Sequence, residues 1–346
     1  MTVTEGFPHF VVWDLTYACP LRCAHCYAEA GRRASQRVGR DDLLRITDAL
    51  ISMKPGGVML SGGEPLLVKE IFEIAARLSD AGVDVLLYTS GWGLEPAMVP
   101  PIVSLFSRVS VSIDGATPEV HDRIRGRAGS FDRAMAALAR LDHGVAESRQ
   151  RGERTPSLGI DFIVMQSNVH QLRDVCMHMA PRFPALNFIS FGVVIPAGLA
   201  TRIEFVEQEM LSEDQVSLMG GDRLVQELQA LAPPSVVVET DDNQRLQMRP
   251  DLLAEGIGLP ALHVEPDGLV RAMCAYEGTV GSLLTDNPLV LWDRAVERLS
   301  DPVVLEALTP VRTMREWAAA TRRIDWHFGS PEARARIARQ PVYTRE

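Results

Sequence analysis

The sequence predicts an α/β fold: a parallel sheet of six βα units, open or curled into a partial (β/α)6 barrel, followed by a small α+β extension. Three observations predict it. Short β-branched runs alternate with longer helical stretches over roughly the first two hundred residues. Those runs are near-continuously apolar, as in parallel strands covered on both faces. The rhythm then breaks near Gly198, where a Pro-Pro pair and a hairpin signal take over.

The first run, HFVVWDLT (His9–Thr16), reads as strand one, and GVMLSG (Gly57–Gly62) as strand two. VDVLLYTS (Val83–Ser90), RVSVSIDG (Arg108–Gly115), SLGIDFIVM (Ser157–Met165) and LNFISFGVVI (Leu186–Ile195) continue the series. After the fourth run, Phe131, Met135, Leu138 and Leu141 fall at helical spacing behind Ser130, the expected N-cap. Right-handed crossovers place function at the carboxyl ends of such strands. Beyond Gly198 the sequence reads as one helix over Ser212–Leu231 and a strand within Ala232–Thr240. A hairpin follows over Leu262–Met273, turning at Pro266-Asp267-Gly268, and then helical stretches with Trp292, Trp317 and Trp326. There is no internal repeat, low-complexity tract or long linker, so the C-terminal third is expected to pack on the rest, with a boundary between 1–200 and 201–346.

The net charge of −10 over 346 residues argues against broad nucleic-acid binding, which needs a positive field. Arg123, Arg125 and Arg127 form one small basic cluster. The N-terminal stretch lacks a signal-peptide pattern, and no apolar run approaches the ~18 residues of a membrane span. Five unevenly spaced cysteines make a poor disulfide framework. A reducing cytoplasm is expected, where clustered cysteines bind metal or do chemistry.

Cys19, Cys23 and Cys26 follow the spacing C-x3-C-x2-C just past strand one. Structural zinc is closed by four protein ligands, and no fourth Cys or His stands at finger-like spacing; His25, inside the loop, is crowded by its neighbours. A [4Fe–4S] cluster normally takes four cysteines, so three leave one iron open. In this spacing the sequence resembles the radical S-adenosylmethionine (radical SAM) superfamily. The resemblance implies a partial barrel whose three cysteines hold the cluster. It implies that the open iron chelates the amino and carboxylate groups of S-adenosylmethionine. One-electron cleavage then yields a 5′-deoxyadenosyl radical that abstracts a substrate hydrogen atom. An electron donor such as flavodoxin or ferredoxin is implied as partner. A structural zinc loop, and an iron–sulfur scaffold or sensor without cleavage, stand as alternatives.

Further motifs follow in order at strand ends. Gly62, Gly63, Glu64 and Pro65 resemble the family's GGEP motif, which holds the methionyl amino group, and glycines there let backbone approach a ligand. By the same resemblance Tyr27 lies near the adenine. Strand three ends in YTSGW, with Ser90 where the family often has asparagine. Strand four ends with Ser110, Ser112 and Asp114, suited to ribose and carboxylate. In Thr117–Met135, Arg125 is implied to neutralise the methionyl carboxylate; Gln166 to Asn168 resemble the segment against adenine, and Pro196–Gly198 also match. The resemblance covers about residues 9–200.

Leu262–Ala295 resembles a SPASM or twitch extension through Pro266–Gly268, Cys274, Gly281-Ser282-Leu283 and Trp292. Family members bind auxiliary clusters there through several cysteines, whereas this stretch holds only Cys274, so the scaffold is expected without the auxiliary cluster. Cys274 reads either as a small buried residue or as a thiol returning hydrogen to a substrate radical. Cys176 reads as core. Asp161, Glu204, Glu239 and Asp267 lie near strand ends or turns without an assigned role. The expected substrate is a small natural-product precursor derived from a sugar, nucleoside or amino acid, in redox-neutral chemistry such as epimerisation, elimination or decarboxylation. A ribosomally made peptide is the alternative, weakened because about eighteen residues precede Cys19, too few for a leader-binding domain. Neither nucleic acid nor membrane is expected as a partner.

Overall fold

Ten strands form one sheet in the computed structural model, which describes residues 8–33, 38–255 and 261–345. They are β1 (Phe10–Thr16), β2 (Gly57–Gly62), β3 (Asp84–Thr89), β4 (Arg108–Ser112), β5 (Ser157–Val164), β6 (Phe188–Val193), β7 (Val237–Asp241), β8 (Leu262–Val264), β9 (Leu269–Arg271) and β10 (Thr279–Ser282). The order is β10-β9-β8-β1-β2-β3-β4-β5-β6-β7. Strands β8 and β1 to β7 run parallel; β9 pairs antiparallel with β8, and β10 antiparallel with β9. All six early runs form strands. The sheet is wider than six strands because β7 extends the β6 edge and β8 the β1 edge.

The strands are not apolar on both faces, contrary to the reading of their sequence. Val11, Trp13, Val58, Leu60, Val85, Leu87, Val109, Val111, Ile160 and Phe162 point outward and pack in one core beneath the helices. Register puts the alternate positions on the inner face: Asp14 beside Ser61, Tyr88 beside Ser110, Ser112 beside Asp161, Ser190 beside Glu239. The residues on that face are largely polar. At its N-terminal end Arg108 stacks on the Phe188 ring, 3.5 Å from the centroid, and reaches Glu239 at 3.3 Å.

Helix starts follow local chemistry. Asn287, Asp301 and Ser330 cap helices that open on Pro288, Pro302 and Pro331. The long helix Ser130–Gln150 departs from expectation at its cap. Ser130 is its first residue, and the Asp122 carboxylate accepts from the Gly129 and Phe131 amides at 2.6 and 2.7 Å and from the Ser130 hydroxyl at 2.8 Å. The single helix expected over Ser212–Leu231 is two, Glu213–Met219 and Asp222–Gln229, because Gly220-Gly221 interrupts it. The Pro-Asp-Gly hairpin forms, as β8 and β9. Cys176 is fully buried. No helix among the described residues is long and apolar enough to cross a membrane.

A buried ion-pair chain fastens the late strands to the cysteine loop. Arg271, 1% exposed, meets Glu265 at 2.7 Å and Glu277 at 3.4 Å. Glu277 in turn pairs with Arg336, which reaches Glu29 at 2.9 Å. Removing the central cation leaves two carboxylates buried without it. Arg271→Ala is therefore expected to cost about 3–5 kcal/mol, read as a lower denaturant midpoint at unchanged slope.

Candidate functional site

The three cysteines lie in a loop that leaves β1 and crosses the carboxyl ends of the strands. The loop sits on backbone. A Cβ on Gly63 would stand 2.2 Å from the Ala18 carbonyl oxygen, and one on Gly198 2.3 Å from that of Tyr27. Gly63 N donates to Thr16 O at 2.6 Å, Glu64 N to Ala18 O at 2.9 Å, and Leu199 N to Cys26 O at 3.1 Å. The glycines of SGGEP thus let the loop root close onto the β2 turn.

Each sulfur faces an N–H donor: Leu21 N to Cys19 Sγ at 3.4 Å, Ala30 N to Cys26 Sγ at 3.3 Å, and Arg125 Nη1 to Cys23 Sγ at 3.9 Å. Burial pushes Cys19 and Cys26 up to about 12 and raises Cys23 as well, so the metal-free thiols are protonated. Donors aimed at sulfur suit iron-bound thiolates, whose potential they tune. Among the described residues no three His, Cys, Asp or Glu side chains converge on one ion position. A cluster takes each thiolate on a different iron, and three sulfurs each met by an N–H donor fit that chemistry.

Asp114 organises the opposite wall. Its fully buried carboxylate pairs with Arg125 Nε at 2.7 Å and His25 Nε2 at 2.9 Å, and accepts from Ile163 N at 2.9 Å. Burial favours its neutral form, but the cationic Arg125 beside it outweighs this and holds it well below the usual carboxylate range. Asn168 locks the same corner, donating to Asp114 O at 3.0 Å and Ile163 O at 2.9 Å. Burial and Arg125 depress His121 to about 4, and its Nδ1 accepts from Asp114 N at 3.1 Å.

Glu64 is also fully buried. It accepts from Thr89 Oγ1 at 2.7 Å, Ser90 N at 2.9 Å, Leu66 N at 3.1 Å and the Ser90 hydroxyl. Burial raises its pKa against these donors. The structure therefore ties Ser90 to Glu64, and Pro65 opens the short turn that follows. Ser112 lines the inner face; the Gln166 side chain is exposed, and its amide donates to Glu209 O at 2.9 Å.

Inside the sheet, Tyr27 does not stand free at the rim. Its hydroxyl donates to Asp14 at 2.6 Å, and its ring meets His263 edge-on at 5.9 Å. Asp14 and His263, both fully buried, pair at 3.1 Å, while Ala275 N donates to His263 Nδ1 at 3.2 Å. That fixes the proton on Nε2, toward Asp14. Cys274 is half-buried and directly precedes Ala275, whose amide meets His263, which places it beside this inner cluster. Asp161 faces inward too, and burial with Asp114 nearby pushes it up to about 7. Glu239 closes the far end with Arg108; Glu204 is half-buried in the helix Ile203–Glu209; Asp267 caps its own turn.

The structure brings the cysteine triplet, the SGGEP turn, Asp114 and Arg125 to one rim. Sequence reasoning missed Asp14, His25, His263 and Glu209. Asp14 left a signal: a charge among Val12, Trp13 and Leu15 on a strand otherwise read as buried.

This site defines an α/β fold with a three-cysteine loop across the carboxyl ends of its strands. Residues 13–143 match the family model of the radical SAM superfamily. Among curated relatives, the AdoMet-dependent heme synthase of Methanosarcina barkeri is 38% identical over 140 residues, 40% of this chain and 40% of that protein. Mycofactocin maturase MftC of Mycobacterium tuberculosis is 36% identical over 212 residues, 61% and 51% of the two. PqqA peptide cyclase of Ruegeria pomeroyi is 25% identical over 280 residues, 80% and 70%. The chain spans about half or less of the length of the first two. The crystal structure of Streptococcus suis SuiB bound to precursor peptide SuiA superposes with a TM-score of 0.62 at 13% identity, over 99% of this chain and 75% of that one. Native anSMEcpe with bound AdoMet and Cp18Cys peptide gives 0.59 at 13%, over 96% and 99%. These structural likenesses show the fold. Residues 13–143 thus carry a radical SAM domain, and the chain has homologues among radical SAM enzymes of the SPASM/twitch type. That family uses a [4Fe–4S] cluster and S-adenosylmethionine.

A carboxyl group whose folded pKa is raised stabilises the fold below its unfolded value and loses that contribution as pH rises through the folded one. For Asp161 this window runs from about 4 to about 7. Asp161→Asn removes the loss. Its denaturant midpoint is expected to pull ahead of the wild type's as pH rises from 5 to 7, with no further gain above 8.

Proposed function

We propose that this protein is a radical SAM enzyme that cleaves S-adenosylmethionine reductively and abstracts a hydrogen atom from a substrate held against the inner face of the sheet. Residues 1–200 act as its core and 201–346 as the extension that flanks it. The observation that carries the reading is a loop of three sulfurs, each met by an N–H, set over a polar inner wall. Cys19, Cys23 and Cys26 hold the cluster. When bound, cluster and S-adenosylmethionine together supply one-electron cleavage of the sulfonium and hydrogen-atom abstraction. Asp114 and Arg125 set the position of Cys23, and the Gly62-Gly63 backbone with Glu64 shapes the methionyl end. Ser90 acts there through Glu64, while Tyr27 borders the site with its ring and spends its hydroxyl on Asp14. Ser112 faces the ribose, and the Gln166 segment the adenine.

The substrate is a peptide. The named relatives favour this over the small-molecule expectation: a maturase, a peptide cyclase and, in fold, a protein bound to its precursor peptide. The inner wall suits it, since Tyr88, Ser112, Asp161 and Ser190 offer hydroxyls and a carboxyl to a polar backbone. A small-molecule reading keeps one support, the heme-pathway enzymes among the relatives. The electron comes from a flavodoxin or ferredoxin. Redox-neutral chemistry on the substrate follows from Cys274, the one cysteine of the extension, which returns a hydrogen atom to the substrate radical and becomes a thiyl radical that one electron from the same donor and one solvent proton restore to the thiol.

The anaerobically reconstituted protein, reduced in the presence of S-adenosylmethionine, is expected to release 5′-deoxyadenosine, and Cys23→Ser to release none. A colourless zinc protein or an absence of 5′-deoxyadenosine removes the reading. Cys274→Ser is expected to leave this cleavage intact. In deuterium oxide it should lower solvent-deuterium incorporation into product at least tenfold, and unchanged incorporation rejects the donor role.

A further inference from the structure

The segment 336–345 lies across the rim of the site and is bonded to both of its functional edges. Arg202 joins it to the cysteine loop: Nη2 donates to Ala24 O at 2.7 Å, Nη1 to Pro341 O at 3.0 Å, and Nε to Leu199 O at 2.6 Å. Glu29, from the same loop, accepts from Arg336 Nε at 2.9 Å and Gln340 Nε2 at 3.1 Å. At the other edge stands Glu209, whose side chain is fully buried. Its Oε1 accepts from the Tyr343 hydroxyl at 2.6 Å and pairs with Arg345 Nε at 3.2 Å. Its Oε2 accepts from Ser167 N at 3.0 Å, and its backbone oxygen from Gln166 N at 2.9 Å. The Tyr343 ring packs edge-on against Phe205, 5.0 Å between centroids.

We infer that Glu209 is a positioning residue for the nucleoside end of S-adenosylmethionine, and that residues 336–345 are the strap that holds it in place. The inference rests on the function proposed above. A buried carboxylate is costly to leave short of donors, so Glu209 stays where Tyr343 and Arg345 meet it. The Gln166-Ser167 backbone, hydrogen-bonded to the same residue, then stays in one conformation. A ligand meeting a preformed segment does not spend binding energy on ordering it. Loosening the strap lets that segment sample other conformations and lowers affinity in proportion to the competent fraction.

The test uses the full chain with its cluster reconstituted and S-adenosylmethionine as the probe, measured by anaerobic equilibrium dialysis. Tyr343→Phe keeps the ring and removes one hydrogen bond. It is expected to weaken binding roughly fivefold at wild-type iron content, a loss within the net range of a single hydrogen bond. Arg345→Gln, at a half-exposed position that does not threaten folding, is expected to act in the same direction. Leu289→Ala, an exposed position on the helix Pro288–Arg298, is expected to bind like the wild type. In the wild type, S-adenosylmethionine is expected to slow tryptic cleavage after Arg339. Unchanged affinity in both strap variants overturns the inference while leaving the proposed function standing. So does a loss of affinity that only tracks a loss of iron, which marks a structural role. A wild type that loads its cluster yet binds no S-adenosylmethionine overturns the function first and the inference with it.

Discussion

The active end depends on how closely the cysteine loop sits on the strand ends. The contact is made by backbone: the loop root rests on the β2 turn at Gly63 and its far side on Gly198, where side chains would collide with carbonyl oxygens. Close seating brings the three sulfurs into reach of amide and guanidinium donors and places Cys23 beside Arg125. A loop raised by the width of one methyl group would lose both. The geometry of the cysteine loop therefore follows from two positions where only hydrogen fits.

Charge does the second part of the positioning. Asp114 gathers Arg125 and His25 on one side of the loop, and the chain Glu265–Arg271–Glu277–Arg336–Glu29 anchors the other side to the late strands. Buried ion pairs contribute little net stability compared with apolar contacts of the same volume. They do specify geometry, because each charge tolerates few positions for its partner. Both networks converge on the segment that holds the cysteines.

The inner wall shows why the sheet is half polar. Its outer positions bury Val, Leu, Ile and Trp beneath helices, while Asp14, Tyr88, Asp161, Ser190 and His263 face inward. The fully buried pair Asp14–His263, with the Tyr27 hydroxyl and the Ala275 amide against it, makes one side of that wall a connected hydrogen-bonded unit. Asp161 stands apart from it, held near neutrality by burial and the charge of Asp114.

Much of this was legible in the linear chain. The alternation of short apolar runs with helical stretches placed the first six strands, and the C-x3-C-x2-C spacing with SGGEP identified the rim and its chemistry, because such signals lie within a few residues of one another. Local spacing also misled. Runs such as HFVVWDLT looked apolar throughout, and Ser130 looked like a cap that Asp122 in fact supplies. What the sequence alone determined was the strand series, the thiol triplet and the glycine turn that receives it, all set by neighbours along the backbone. Only the tertiary structure decided that His263 meets Asp14 and that Tyr343 meets Glu209, partners 249 and 134 residues apart, since pairs so distant are joined by the curvature of the sheet and the cost of burying a charge alone.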